Sequence, residues 1–97
     1  MIRSFASAGT KDVFDGSDTK AARKLCPKNL WKLAVRKLDQ LNVATQLETL
    51  RAPPGNRLEA LKGDRRGQYS IRINDQYRVC FRWTVDGAEA VEIVDYH

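Results

Sequence analysis

The strongest constraint on the fold is a pair of alternating runs, QYSIRIN and QYRVCFRW, that nearly abut in the chain. Period-two alternation belongs to strands with one buried face. In the first run Tyr69, Ile71 and Ile73 share a face, with Gln68, Ser70 and Arg72 on the other. In the second, Tyr77, Val79, Phe81 and Trp83 oppose Arg78, Cys80 and Arg82. A two-residue turn at Asn74–Asp75 would set Arg72 against Tyr77 and mix the faces. A three-residue loop, Asn74-Asp75-Gln76, pairs Ile73 with Tyr77 and Ile71 with Val79, and keeps the apolar face whole.

That register sets Arg72 directly against Arg78. Like charges across a strand pair are unfavourable unless something negative lies close by. The preceding stretch, LEALKGDRRGQ, reads as a short strand over Leu58 to Leu61 and a basic loop from Lys62 to Gly67. It brings Lys62 and Arg65 to the same region without obvious acidic partners, which is the chemistry of a phosphate site rather than an ion-pair network. A last hairpin turns near Asp86–Gly87. A two-residue turn is the stronger local signal. A three-residue loop would instead match Phe81 with Ile93, Arg82 with Glu92 and Arg78 with Tyr96, and this second register is the one expected.

The N-terminal half is helical. Met1 to Phe5 is a short candidate strand, followed by a brief helix capped by Ser7 or Thr10, with Val13 and Phe14 as its apolar edge. The turn formers of DGSDTK mark an exposed loop over Asp15 to Lys20. Pro27 suits a first helical turn, and Trp31, Ala34, Val35, Leu38 and Leu41 recur at helical spacing. The main amphipathic helix is therefore expected from Pro27 to about Leu41, docked on the sheet. Lys28, Lys32 and Arg36 stand four apart and form a basic ridge beside that stripe, as a solubilising surface or as a backbone contact to RNA. Further helical turns over Ala44 to Leu50 end at Pro53-Pro54-Gly55.

At 97 residues, all of this belongs to one domain, residues 1–97. The net charge of +5 points to a polyanionic partner, nucleic acid first. No apolar run spans a bilayer, and no membrane association is expected. Cys26 and Cys80 lack a CxxC partner or a His/Cys ligand set, so neither a disulfide nor a metal site is expected, and reduced thiols in a cytoplasmic protein are.

A phosphodiester of RNA carries its own nucleophile, the 2′-OH. A catalyst supplies a base near that oxygen, an acid near the leaving 5′-oxygen, and cations on the nonbridging oxygens, with no cofactor required. Here the cations are Lys62, Arg65 and Arg78. The proton-transfer candidates are His97, then Asp95, Tyr96 and Glu59, while Tyr96 or Tyr69 would serve equally to stack on a base. Arg72 and Arg82 extend the same face toward RNA.

Taken together, MIRSF, PPGNRLEALKGDRRGQYSIRIN, QYRVCFRW and the ending VEIVDYH resemble the HigB toxins of the RelE/ParE superfamily of type II toxin–antitoxin systems. The likeness runs nearly end to end and is strongest from Pro53 onward; Ala21 to Cys26 is its least familiar part. The resemblance implies an α+β fold, a RelE-like compact antiparallel sheet with N-terminal helices on one face. It implies ribosome-dependent endoribonuclease cleavage of mRNA in the decoding site, opposed by a HigA-type helix-turn-helix antitoxin, with operator DNA engaged only through the antitoxin complex. Carried over by motif, the active residues fall on Lys62, Arg65, Arg78, Asp95, Tyr96 and His97. Some relatives have a histidine three residues before the LKGD lysine, where this chain has Glu59, so either Glu59 takes a proton-transfer role or that position is dispensable. The ribosome also makes Lys28, Lys32 and Arg36 candidate rRNA contacts. Two other classes compete: a ParE-like gyrase inhibitor without enzymatic activity, and a plain RNA-binding module.

Overall fold

In the computed structural model, which describes residues 1–96, the first helix begins at Ser7. The Ser7 backbone is extended and its hydroxyl accepts the Thr10 N–H, an N-cap for α1 (Ala8–Asp15). Thr10 is not a cap; it is fully buried, and its Oγ1 accepts the Ile93 N–H at 3.0 Å. A backbone donor of the sheet is thereby satisfied by a side chain of the helix that covers it. Gly16 closes α1 in the left-handed conformation.

The stretch after it holds a helix the sequence reading had not assigned, α2 (Lys20–Leu25), capped by Thr19, whose hydroxyl accepts the Ala22 N–H. The main helix starts later than expected. Pro27 precedes a single 3-10 turn, Lys28–Leu30, and α3 runs Trp31–Val43. The Trp31 indole N–H donates to the Cys26 carbonyl at 3.1 Å and ties that turn to the end of α2. Ala34, Leu38 and Leu41 are fully buried on the inner face of α3, as their spacing predicts.

Lys37 shares that face. Its Nζ donates to Asn56 Oδ1 at 2.6 Å, and Asn56 Nδ2 donates to Gln40 Oε1 and the Leu50 carbonyl. Burial, and then the charges of Arg36 and Arg72, push the Lys37 ammonium below its ordinary value. The polar knot fastens the chain leaving α3, which makes a 3-10 turn at Leu47–Arg51, a cis Ala52–Pro53 bond and a second turn at Pro54–Asn56.

Four antiparallel strands follow in sheet order β1 (Glu59–Ala60), β2 (Tyr69–Arg72), β3 (Tyr77–Thr84) and β4 (Gly87–Asp95). Ile71 pairs with Val79 and Arg72 with Arg78, the register anticipated from the apolar face. Asn74 Oδ1 accepts from the N–H groups of Gln76 and Tyr77 and holds the three-residue loop. Ile71, Val79, Phe81, Val91 and Ile93 are essentially inaccessible and join Leu38 and Leu41 in one core between sheet and helices.

The last hairpin departs from the expected register. Thr84 pairs with Gly87 across a two-residue turn, and Thr84 Oγ1 donates to the Gly87 carbonyl and accepts the Asp86 N–H. Cys80 consequently faces Glu92, and Arg78 faces Val94 rather than Tyr96. A bulge opposite Phe81, where Ala90 has φ 52°, restores the alternation that the turn would otherwise invert. The bulge also meets the N-terminal segment: Ser4 Oγ accepts the Ala90 N–H, and the Ser4 carbonyl accepts the Val91 N–H. Residues 1–5 thus make isolated parallel bridges along the outer edge of β4, at Ile2–Ala88 and Phe5–Val91. Gly87 is required there, because a Cβ at that position would lie 2.1 Å from the Met1 carbonyl oxygen.

Candidate active site on the sheet face away from the helices

Strand alternation sends Ser70, Arg72, Arg78, Cys80, Arg82 and Glu92 to the face opposite the core. One rung crosses the whole sheet there: Glu59 pairs with Ser70, Ser70 with Cys80, and Cys80 with Glu92. The neighbouring rung carries Arg72 and Arg78 side by side. The basic loop folds over one end through a 3-10 turn at Gly63–Arg65, and Gly67, at φ 91°, lets the chain return to β2. A Cβ on Gly67 would lie 3.0 Å from the Arg82 guanidinium, so that side chain lies against the loop.

The four cations differ in their surroundings. Arg65 donates to Gln68 Oε1 and to Glu92 Oε1, each at 3.1 Å. Arg72 is paired with Asp75 of the hairpin loop. Lys62 is exposed at the start of the loop. Arg78 stands apart: its Nε and one terminal nitrogen are buried with no hydrogen-bond partner among the described residues, and so is the Ser70 hydroxyl. Buried donors are nearly always satisfied in a folded protein, and an acceptor brought to this place would satisfy them. The expectation of cations without acidic partners fails for Arg65 and Arg72, which pair with Glu92 and Asp75.

Tyr96 covers this place. Its ring centroid is 5.1 Å from the Arg78 guanidinium carbon, and the side chain is 39% exposed, which leaves area for a further stacking partner. Tyr69 does not share the role, because it stacks on Phe81 at 6.2 Å on the core side. Asp95 alternates away from Tyr96: it pairs with Tyr77, and its Oδ2 accepts from Gln76 at 3.1 Å. Burial, and then the Asp95 charge, push the Tyr77 phenol up. Glu59 is exposed at the β1 end of the long rung. His97, a proposed member of the set, lies outside the described residues.

The basic ridge is not part of this cluster. Lys28 pairs with Asp18 at 2.7 Å and lies over the Trp31 ring, while Lys32 and Arg36 are exposed on α3, in the layer that packs on the other face of the sheet. A shallow groove lined by Lys32, Val35, Arg36 and Val43 runs along that helix. Among the described residues no group of His, Cys, Asp and Glu is placed to hold a metal ion, and no helix is long and apolar enough to cross a membrane.

Sequence reasoning singled out neither Ser70 nor the partners of Arg65. Ser70 was visible as a member of the polar face, but its isolation is a packing property. The Gln68 contact is local to the loop, while the Glu92 contact depends on the bulge that fixes the β4 register.

Comparisons with known proteins converge with this geometry. The family described as "RelE-like toxin of type II toxin-antitoxin system HigB" matches residues 3–97. Toxin HigB-1 of Vibrio cholerae is 43% identical over 74 residues, covering 76% of this chain and 77% of that protein. An uncharacterized protein of Haemophilus influenzae is 42% identical over 57 residues, covering 59% of this chain and 56% of its own length. A chain of the YoeB-YefM complex from Staphylococcus aureus superposes with a TM-score of 0.54 at 18% identity, over 100% of this chain and 98% of that one. At that identity the likeness is one of fold, and it establishes the α+β RelE-like architecture.

Proposed function

This chain belongs to the HigB-like toxins of type II toxin–antitoxin systems, and on that premise we propose that it is a ribosome-dependent mRNA endoribonuclease. One observation supports the reading above others. Arg78, whose buried N–H groups have no acceptor among the described residues, stands diagonally across the β2–β3 pair from Ser70, whose hydroxyl likewise has no partner among them, and beneath a half-exposed tyrosine ring. A scissile phosphate with its flanking base would complete all three.

In the proposed reaction the 2′-oxygen bonds to phosphorus as the bond to the 5′-oxygen breaks, giving a 2′,3′-cyclic phosphate and a free 5′-hydroxyl. The base removes the 2′-OH proton, and the acid delivers a proton to the departing 5′-oxygen. Arg78, Arg65 and Lys62 carry the charge that gathers on the nonbridging oxygens. His97 leads the proposed proton-transfer groups, followed by Asp95 and Tyr96 at the end of β4 and Glu59 at the β1 end of the long rung. Arg72 and Arg82 hold the flanking backbone. Lys28, Lys32 and Arg36 act as sequence-blind contacts to rRNA.

The proposed setting is the cytoplasm, with the ribosome and mRNA as targets and a HigA-type helix-turn-helix antitoxin as the neutralising partner. The occurrence of YoeB with YefM in one complex supports an antitoxin for a chain of this fold. Primer extension on a transcript translated in vitro tests the proposal. Toxin-dependent cuts inside codons are expected, and their absence, with gyrase supercoiling blocked instead, would replace it by a gyrase-binding role.

A further inference from the structure

We infer that Glu92 is a positioning residue that holds Arg65 ready for substrate, an inference that rests on the RNA-cleaving reading of this face. Arg65 belongs to the basic loop, whereas Glu92 projects from β4 across from Cys80, at the far end of the long rung. The guanidinium is clamped between them. One terminal nitrogen donates to Gln68 Oε1 within its own loop, and the other donates to Glu92 Oε1 on the sheet. A guanidinium has five N–H donors in a fixed fork, so the clamp leaves others for a nonbridging phosphate oxygen.

Exposure argues that this pair serves position rather than stability. The Arg65 and Glu92 side chains are 36% and 31% exposed, and a pair so open to solvent adds little to folding. Fixing a long, rotamer-rich arginine before substrate arrives removes an ordering cost from the reaction instead. Beneath the pair lies Cys80, fully buried yet outside the apolar core cluster. Burial pushes its thiol up and keeps it neutral, with the charges of Arg65, Glu92 and Arg78 all within reach of it. A small uncharged side chain at the centre lets three charged ones close over it.

The signs of the two effects differ, which makes the role measurable. Glu92 cancels one positive charge, so it weakens attraction for RNA while improving the orientation of Arg65. Loss of Glu92 should therefore slow the chemical step without weakening binding. Single-turnover cleavage of ribosome-bound mRNA by the full chain gives both a maximal rate and a half-saturating toxin concentration. Glu92→Ala should lower the maximal rate about tenfold and leave the half-saturating concentration unchanged or lower. Glu92→Gln, whose amide oxygen still accepts from Arg65, should recover most of that rate, and it carries the test if the alanine variant fails to fold.

In an Arg65→Ala background, Glu92→Gln and Glu92→Ala should have no further effect. A further loss there would overturn the inference, because Glu92 would then act on substrate itself. A raised half-saturating concentration at unchanged maximal rate would overturn it also. The Arg65 Nη–H resonances supply a readout that needs no activity, because both terminal nitrogens are the donors of the clamp: slow exchange in the wild type and fast exchange in Glu92→Ala are expected. Fast exchange in the wild type would refute the clamp. Slow exchange without any cleavage would refute the RNA-cleaving reading, and the positioning role with it, while leaving the ion pair established.

Discussion

Arg72 and Arg78 face each other across the β2–β3 pair, yet among the described residues only Arg72 is paired with a carboxylate, from Asp75 in the loop that joins the two strands. Arg78 is left with buried N–H groups and a tyrosine ring above its guanidinium. Such an arrangement is a liability for folding and an asset for anion binding. Arg78→Gln should therefore stabilise the protein by about 1 kcal/mol in urea unfolding while abolishing mRNA cleavage. A variant that loses stability and activity together would point to a structural role instead.

The same asymmetry predicts a ligand effect. Inorganic phosphate should raise the melting temperature of the wild type in a concentration-dependent way, since it binds only the folded face. Arg78→Gln should show little of this shift at equal ionic strength. Scanning calorimetry with chloride as the matched control makes the comparison.

Glu59 and His97 are proposed proton-transfer groups, and on that proposal their removal should leave binding intact. Glu59→Gln and deletion of His97 should each reduce the single-turnover rate by roughly 100-fold or more, with the half-saturating concentration held. If Glu59→Gln cleaves normally, the position is dispensable and the base lies among the residues at the end of β4.

Thr10 offers a test of the fold apart from any activity. Its hydroxyl oxygen is the acceptor for the Ile93 N–H, in a site with no solvent access. Thr10→Val keeps the shape and removes the acceptor, so it should cost about 1–3 kcal/mol in urea unfolding, and Thr10→Ser should cost less.

Cys80 supplies a pH dependence. Its folded value is raised above the ordinary 9.0, chiefly by burial. Stability from keeping the thiol neutral is fully present below the unfolded value and is lost as pH rises through the folded one. Wild type measured against Cys80→Ala should accordingly lose relative stability above about pH 9, while other titrations cancel in the difference. At neutral pH, both Cys80 and the buried Cys26 should resist a thiol reagent until urea unfolds the chain.

The β2–β3 hairpin was legible because a single criterion, an unbroken apolar face over Ile71, Ile73, Tyr77 and Val79, decided its register. The stripe of Ala34, Leu38 and Leu41 was legible on the same principle. The β3–β4 hairpin was not, because its register is set by a side-chain brace at Thr84 and a bulge at Ala90 that admits the N-terminal segment. Neither leaves a periodic trace. The helix over Lys20–Leu25 was missed because its one strong signal, the Thr19 cap, sits inside a run of turn formers. At the site, the identity of the cations was readable and their partners were not. Glu92 lies 27 residues from Arg65 in the chain, and only the finished sheet brings them together.

The outer edge of β4 carries a consequence for the order of events during folding. Ser4 and Ala90 are 86 residues apart, and Thr10 and Ile93 are 83 apart, so these contacts join segments far apart in the chain. Contacts of such sequence separation form late and slowly. Glu92, which holds Arg65, belongs to that same strand, and Tyr96, which lies over Arg78, directly follows it. The cations from Lys62 to Arg82 therefore come to lie in one finished face only when β4 has paired and the N-terminal segment has closed on its outer edge.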